Sequence, residues 1–536
     1  MARLKVASFL LVATMLSIVV SGAQTGLLGN ILTTVGTVTS NTVSSLVETV
    51  GNLPFDQNKC IIVMKENPKP ILDVVANNST AIWTEDQRVQ NIQNIVDALK
   101  QHAAQSQSSV TNLLQAAGVQ FTSNWITNTI VVLDCPLNLI EQILALVSVK
   151  KVIYDLIITL DPPQPTADSP SNTATAGWGA TKIKATDVWA TSNTGQGIVV
   201  GTIDTGVRAT HETLVNNWIG SYGWYDPAQK TATPFDANGH GTHTMATIVG
   251  GKGVGIAPGA KWMSCKACSS SCSLSLMNQC AQFMLCPTDT NGNNCNPAKA
   301  PHIVSNSWGT GQGMTYFQPM IDAWSAARII PIFSAGNSGA NGCSSVVSPG
   351  DSAKVFSVGA TDTSDALGSF SSIGPAVNGL VKPDFIAPGV SVRSAWNGNS
   401  ADYMSLSGTS MAAPHLAGTI ALALSARPGF CFDTMKEVLM SSTDRSLPST
   451  PLTCGGISDT IFPNNEAGTS LPSTGEADMP MLIFFMTTTK LIALRAPNVK
   501  NMFSTFKLSS GSDLENMIVK TEVRIEPIEL MNRITA

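Results

Sequence analysis

The sequence predicts an α/β fold in which a parallel sheet carries helices on both faces, preceded by a small α+β module. Four apolar runs, each bounded by Gly, Asp or Asn, lie at 198–203, 302–306, 329–333 and 355–358. Runs of this kind are typical of strands buried on both faces, and the helical patterns between them favour parallel pairing. Reactive groups in such sheets gather at the carboxyl ends of the strands.

The α+β module is predicted from a shorter set of elements within 59–160. Strands are predicted at 60–64, 129–133 and 149–154, and helices at 86–102 and 137–146. The first helix has Val89, Ile92, Ile95, Val96 and Leu99 at helical spacing. Residues 161–176 follow as a linker, because they are rich in proline and small polar residues and have no apolar pattern.

The N-terminus indicates export. Arg3 and Lys5 precede an apolar run at 6–20, and a small-residue Ser-Gly-Ala site follows, which predicts a signal peptide over 1–23. A membrane anchor is the alternative, but the run is shorter than the ~20 apolar residues that span a bilayer. Residues 24–58 form a low-pattern segment before the module.

Composition limits the possible functions. A chain of 536 residues with 43% hydrophobic residues is long enough for two or three packed domains. The net charge of -5 is small, and no block of lysine and arginine stands out. We therefore expect no nucleic-acid partner. A second apolar patch at 481–485 is far too short to span a bilayer, so we expect no membrane association after removal of the signal peptide.

Eleven cysteines in an exported chain indicate disulfides. Cys60 and Cys135 lie in the N-terminal third and could pair. The nine others are an odd number, so one thiol is expected to remain outside the intramolecular pairs. Cys265-Lys-Ala-Cys268 also resembles half of a zinc site, although no histidine completes the set.

Two candidate catalytic residues stand where buried elements begin or end. Asp204 directly follows the apolar run at 198–203, although an aspartate there could simply cap a helix. His240 lies between two glycines at the expected start of a helix, where the dipole favours the neutral ring that a general base requires. The alternative for His240 is a metal pair with His243.

Ser410 and Asn337 complete the candidate set. Ser410 precedes an almost wholly apolar helix predicted at 411–426, which presents its hydroxyl and its N–H at the helix N-terminus. Asn337 follows the apolar run at 329–333 and could donate its side-chain N–H to an oxyanion. A serine cap and an ordinary turn asparagine are the respective alternatives.

Together these motifs resemble those of the subtilisin-like serine proteases. The matching strings are VGTIDTGV (200–207), HGTHTMATIVG (240–250), NSWG (306–309), SAGNSG (334–339), KPDFIAPG (382–389) and GTSMAAPH (408–415). The order Asp, His, Ser also agrees with this family. Two further strings, TKIKATDVW (181–189) and APGAKWMSCKA (257–267), are similar to its bacillopeptidase F type.

The resemblance implies a role for each site residue. Ser410 would be the nucleophile, His240 the general base and acid, and Asp204 the residue that orients the ring. Asn337 and the N–H of Ser410 would form the oxyanion hole. The segments that flank the substrate pocket would be Ser307-Trp308-Gly309 and Ser334-Ala335-Gly336. No cofactor is required, and although the family often binds structural calcium, no ligand cluster in this sequence can be assigned to it.

The resemblance also implies how the chain is made and used. Residues 59–160 would be a propeptide that assists folding and inhibits the enzyme, 161–176 would contain the maturation cut, and 177–468 would be the catalytic domain. The product would be a secreted, monomeric endopeptidase acting on proteins or peptides. Residues 469–536 lack the family's usual glycine-rich turn and final helix, and we interpret this tail as an artefact of the gene model.

Two other functional hypotheses remain at this stage. A binding-only relative would keep the fold without catalysis, although all three triad residue types are present here. A cysteine-rich adhesion protein would explain export and the cysteines but not the motifs. Labelling of Ser410 by a fluorophosphonate distinguishes both from an active enzyme.

Overall fold

The computed structural model describes residues 47–50, 53–76, 83–160, 164–165, 177–443, 453–455, 457–458 and 469–470. The predicted signal peptide, most of the linker and nearly all of the 469–536 tail therefore lie outside the described residues. The helices are α1 (Lys69–Ala76), α2 (Glu85–Ser106), α3 (Ser108–Ala116), α4 (Ile140–Ala145), α5 (Trp178–Lys182), α6 (Ala185–Ala190), α7 (His240–Val249), α8 (Leu274–Leu285), α9 (Gln318–Ala326), α10 (Thr409–Ala426) and α11 (Phe432–Ser442).

The strands are β1 (Phe55–Met64), β2 (Phe121–Asn124), β3 (Thr129–Val132), β4 (Val149–Thr159), β5 (Gln164–Pro165), β6 (Val199–Asp204), β7 (Trp224–Tyr225), β8 (Lys261–Lys266), β9 (Ser271–Ser273), β10 (Ile303–Asn306), β11 (Ile330–Ser334), β12 (Phe356–Thr361), β13 (Phe385–Pro388), β14 (Val392–Ala395), β15 (Tyr403–Ser407), β16 (Thr453–Cys454), β17 (Ile457–Ser458) and β18 (Thr469–Ser470). None of the described helices is long and apolar enough to cross a membrane.

The main sheet is parallel throughout and confirms the predicted fold class. Its strand order is β18-β13-β12-β11-β10-β6-β8-β7. The four predicted strands are β6, β10, β11 and β12, each beginning one residue later than expected. Strands β8 and β13 were not predicted, because lysines bound one and a proline ends the other.

Helices cover both faces of this sheet, as the sequence predicts. Val200 and Ile332 point to the face that α7 and α10 cover, whereas Ile203 and Phe333 point to the face that α8 and α9 cover. Neighbouring residues of a strand alternate between faces, so a run that is apolar throughout fills both cores.

Helix α10 is buried from Thr409 to Leu424, which explains why it is apolar all round. Gly418 allows it to pack closely, since a Cβ at that position would lie 2.4 Å from the Cβ of Ile256. The helix begins two residues before the predicted start, so Ser410 belongs to its first turn rather than preceding it.

The N-terminal module is an antiparallel sheet in the order β2-β3-β1-β4, with its own apolar core beneath α3 and α4. All five elements predicted within it are present. Strand β1 begins at Phe55, five residues before the predicted start, and the sequence reasoning did not predict α1, α3 or β2. These additional elements are short, with eight, nine and four residues against 22 in α2, so each offers little pattern to read.

The module docks on the main domain through strand pairing and buried polar contacts. The end of β4 pairs with β9 in antiparallel register, Ile157 opposite Ser273 and Thr159 opposite Ser271. The buried carboxylate of Asp155 accepts hydrogen bonds from the N–H of Ser275 at 2.9 Å and from its hydroxyl at 2.6 Å. That carboxylate therefore caps the first turn of α8.

Ten cysteines form five disulfides among the described residues: Cys60–Cys135, Cys265–Cys280, Cys268–Cys272, Cys286–Cys295 and Cys343–Cys454. The expected pair of Cys60 and Cys135 is present, and Cys431 is the odd thiol. The two cysteines of the Cys-Lys-Ala-Cys motif belong to separate disulfides. That pairing leaves no thiolate pair there for zinc, so the zinc alternative is wrong.

Candidate active site

Asp204 ends strand β6, so its carboxylate lies at the carboxyl edge of the sheet. Its side chain is buried, and Oδ1 accepts a hydrogen bond from the N–H of Thr205 at 2.7 Å. Thr244 of α7 donates to Oδ2 at 3.3 Å. A buried carboxylate needs such partners, and these contacts hold it in one orientation.

His240 is the first residue of α7 and is fully enclosed beside Asp204. Its Nδ1 lies 2.8 Å from Asp204 Oδ1. Burial lowers the pKa of His240, but the charge and hydrogen bond of Asp204 and the charge of Asp236 together raise it above its ordinary value. The pair thus fixes the ring with Nδ1 toward the acid and Nε2 on the opposite side.

The glycines around His240 permit close backbone approach. A Cβ on Gly241 would lie 2.1 Å from the main-chain oxygen of Gly206. Gly239 has a φ of 108°, and a Cβ there would meet the ring of Trp396 at 2.6 Å. Only glycine fits both positions, which brings the start of α7 against the end of β6.

Ser410 lies in the first turn of α10, and its side chain is buried. Its hydroxyl donates to the main-chain oxygen of Ser307 at 3.2 Å. Ser307 in turn donates its hydroxyl to the main-chain oxygen of Ser410 at 3.0 Å. Among the hydrogen bonds of the described residues, the Ser410 hydroxyl is therefore directed to Ser307, and none joins it to His240.

Asn337 contacts the residue that precedes Ser410. Its Oδ1 accepts hydrogen bonds from the N–H and the hydroxyl of Thr409, both at 2.9 Å. Both bonds use the oxygen, and the opposite end of the amide carries its two N–H donors. The N–H of Ser410 belongs to the first helical turn, where N–H groups lack intrahelical partners. This arrangement suits an oxyanion hole.

The predicted substrate-binding segments flank this site on two adjacent strands. Ser307, Trp308 and Gly309 follow β10 directly, and Ser334, Ala335 and Gly336 stand at and after the end of β11. The N–H of Gly336 donates to the hydroxyl of Thr409 at 3.2 Å. The indole of Trp308 faces the core and donates to the main-chain oxygen of Ile203, so this side chain points away from the surface.

His243 does not share a site with His240. Its Nε2 lies 3.0 Å from the main-chain oxygens of Val392 and Met404, so it donates to strands β14 and β15. Burial lowers the pKa of His243 to about 3. No group of three or more His, Cys, Asp or Glu side chains capable of holding a metal ion occurs within the described part of the chain.

Asp236 is a site residue that the sequence reasoning missed. Its carboxylate accepts hydrogen bonds from the hydroxyls of Thr205 and Thr242 and from the main-chain N–H groups of Asn238, Gly239 and Thr242, the last in the first turn of α7. It therefore ties the loop before His240 to the residue after Asp204. Its place four residues before His240 could have indicated this role.

The chain is similar in sequence to known proteins. The subtilase family model matches residues 195–469, just over half of the chain. Bacillopeptidase F of Bacillus subtilis (strain 168) is 33% identical over 393 residues, which is 67% of this chain and 27% of that protein. Serine protease AprX of the same organism is 34% identical over 291 residues, covering 47% of this chain and 62% of AprX.

Subtilisin Savinase of Lederbergia lenta is 32% identical over 284 residues, covering 52% of this chain and 95% of that protein. The chain thus spans about a quarter of the length of bacillopeptidase F and less than two thirds of AprX. The matched region includes Asp204, His240, Asn337 and Ser410. Its parallel sheet, its motifs and these matches agree, and the chain belongs to the subtilase family.

Proposed function

We propose that this chain is a secreted serine endopeptidase that hydrolyses peptide bonds through an acyl-enzyme on Ser410. The observation that carries the proposal is the buried hydrogen bond between His240 Nδ1 and Asp204 Oδ1 in a member of the subtilase family. That bond sets the tautomer in which Nε2 can accept a proton.

The chemistry follows from the positions of these groups. The Ser410 hydroxyl turns about its Cα–Cβ bond from the Ser307 oxygen toward His240, which takes its proton as Oγ attacks the peptide carbonyl. The oxyanion forms between the side-chain N–H of Asn337 and the N–H of Ser410. His240 then gives the proton to the leaving amine, and water hydrolyses the ester by the reverse route. The reaction needs no cofactor.

The N-terminal module would be the inhibitor of this enzyme before maturation. The end of β4 lies on β9, and Gln164 pairs with Ser407, three residues before Ser410. The main-chain N–H of Cys268, in the loop before β9, donates to the oxygen of Asp204. The chain thus contacts a strand on either side of the candidate site, as an extended peptide substrate would. We propose the maturation cut within 161–176.

Secretion is proposed from the signal-peptide pattern at 1–23 and is supported by the five disulfides, which are typical of oxidising compartments. Protein or peptide substrates are the corresponding partners, because β9 offers a strand edge to an extended chain.

Active-site labelling tests the catalytic assignment. A fluorophosphonate should label the processed protein at one serine, identified by peptide mass spectrometry as Ser410. Ser410→Ala should abolish labelling, whereas Ser425→Ala should not, since Ser425 lies in the same helix but its hydroxyl donates to the main chain of Gln196. Labelling that persists in Ser410→Ala, or that is absent from the processed wild type, would contradict the proposal.

Self-processing is a second and independent test. The wild-type precursor should be cut within 161–176, whereas Ser410→Ala should accumulate at full precursor mass because its own nucleophile makes the cut. Intact-mass and N-terminal analysis of the secreted product measures this outcome. Addition of mature wild-type enzyme should restore cutting of the variant. Normal processing of purified Ser410→Ala alone would refute self-cleavage.

A further inference from the structure

One side chain lies between the two segments that flank the candidate substrate pocket. A Cβ on Gly309 would lie 2.5 Å from Cγ2 of Val347, and a Cβ on Gly336 would lie 2.9 Å from the same methyl group. The other methyl group, Cγ1, would lie 3.2 Å from the Gly336 position. Val347 therefore occupies the space that the two glycines leave between the segments.

The main chain around Val347 is held to both segments. Its N–H donates to the oxygen of Ala335 at 3.0 Å, beside Gly336. On the other side, the N–H of Thr310 donates to the oxygen of Ser348 at 2.8 Å, beside Gly309. A β-branched side chain on a main chain fixed at both sides has few alternative rotamers. Val347 therefore has little freedom to move out of the gap.

The same two segments contact the candidate nucleophile and the residue before it. Ser307 donates to the main-chain oxygen of Ser410, and Gly336 donates to the hydroxyl of Thr409. A peptide whose carbonyl lies at Ser410 and Asn337 would thus direct the preceding side chain into the gap between Gly309 and Gly336. Val347 is only partly buried, whereas its neighbours Val346 and Ser348 are buried.

We propose that Val347 closes the primary specificity pocket and restricts the residue before the scissile bond to Gly, Ala or Ser. The inference rests on the proposed endopeptidase function and specifies its substrate class. Gly309 and Gly336 have no Cβ atoms, so the space between their two segments would accept a large, flat side chain if it were empty. The valine methyl groups fill that space, and an aromatic ring would have to displace them. Steric exclusion of this kind discriminates by about 10–200-fold per added methylene-sized group.

Peptides that differ only in the residue before the cut test the proposal. We expect the processed wild type to have a kcat/KM at least tenfold higher for the Ala peptide than for the Leu or Phe peptides. Val347→Gly should raise kcat/KM for the Phe peptide tenfold or more. It should change kcat/KM for the Ala peptide far less. Val347→Ala, which keeps the Cβ, should give an intermediate ratio.

Two controls separate specificity from folding. Val347→Thr has nearly the same shape, so its Ala-to-Phe ratio should stay within a few-fold of wild type. Val215→Ala, at an exposed valine away from the site, should leave the ratio unchanged. Fluorophosphonate labelling of each variant reports whether its catalytic centre is assembled.

Equal or better cleavage of the Phe peptide by the wild type would overturn the proposal, even if no Val347 variant folds. An unchanged Ala-to-Phe ratio in a labelled Val347→Gly would also overturn it. Failure of the endopeptidase assignment looks different, because no peptide of the series would then be cut and the wild type would not be labelled.

Discussion

At the residue scale, two carboxylates determine how His240 titrates. Burial opposes its charged form, but the contact with Asp204 and the charge of Asp236 outweigh burial and raise the pKa of His240. A general base works only when neutral, so activity should fall as the pH drops through that raised pKa. We therefore expect the acid limb of kcat/KM to have its midpoint above the ordinary histidine value of about 6.5.

Replacement of Asp236 by Asn should move this acid limb. The loss of its negative charge makes the imidazolium less favourable, which lowers the pKa of His240, so the midpoint should shift to lower pH. The measurement is kcat/KM against pH for one peptide. Asp187→Asn, at an exposed carboxylate outside the site, should leave the midpoint in place. If the acid-limb midpoint of Asp236→Asn is unchanged or higher, this electrostatic account is contradicted, whatever the maximal rate.

At the scale of the element, helix α10 carries a break in its hydrogen bonding next to the nucleophile. Pro414 lies inside the helix and has no N–H, so the oxygen of Ser410 lacks its usual partner four residues later. The hydroxyl of Ser307 donates to that oxygen at 3.0 Å. A substrate-pocket segment therefore completes the hydrogen bonding of the catalytic helix, which couples the position of one to the other.

A double-mutant cycle tests this coupling. Ser307→Ala should lower the free energy of unfolding by about 1–3 kcal/mol, because it leaves a buried carbonyl without a partner. The same change should cost less when combined with Pro414→Ala, since the new N–H can bond the Ser410 oxygen. Denaturant unfolding of both pairs, in a Ser410→Ala background that prevents autolysis, measures the difference. Equal losses with and without Pro414 would show that the two residues act independently.

At the scale of the whole molecule, the disulfides close loops of very different length. Cys343–Cys454 spans 111 residues and links the loop after β11 to β16, whereas Cys268–Cys272 spans four. In the chain-entropy model, a longer closed loop restricts the unfolded chain more, giving about 5 kcal/mol for the long loop and about 2 kcal/mol for the short one.

Paired alanine replacements test that ranking. Cys343→Ala/Cys454→Ala should lower the melting temperature more than Cys268→Ala/Cys272→Ala, with both measured in the Ser410→Ala background. Reduction of all disulfides in the parent protein should lower the melting temperature at least as much as the more destabilising of the two paired replacements. If the short-loop variant is the more destabilised, packing around the disulfide outweighs loop entropy and the ranking fails.

Much of the fold follows from local pattern alone. A strand buried on both faces is apolar along most of its length, so β6, β10, β11 and β12 can be predicted from the sequence alone. Strand β8 was not predicted because it begins and ends with lysine. Its pairing with β6 depends on how distant segments of the chain pack together. Asp204, His240 and Ser410 were found because each stands at a point where a buried element starts or stops.

The sequence by itself thus determined the family, the layered fold and the residues that carry the proposed chemistry, since motif and periodicity are properties of neighbours along the chain. The tertiary structure alone decided which distant groups meet. In the folded chain the Ser410 hydroxyl donates to Ser307, and the Asp236 carboxylate accepts five hydrogen bonds. Val347 lies between Gly309 and Gly336. Such contacts depend on how separate segments pack, and no local pattern encodes them.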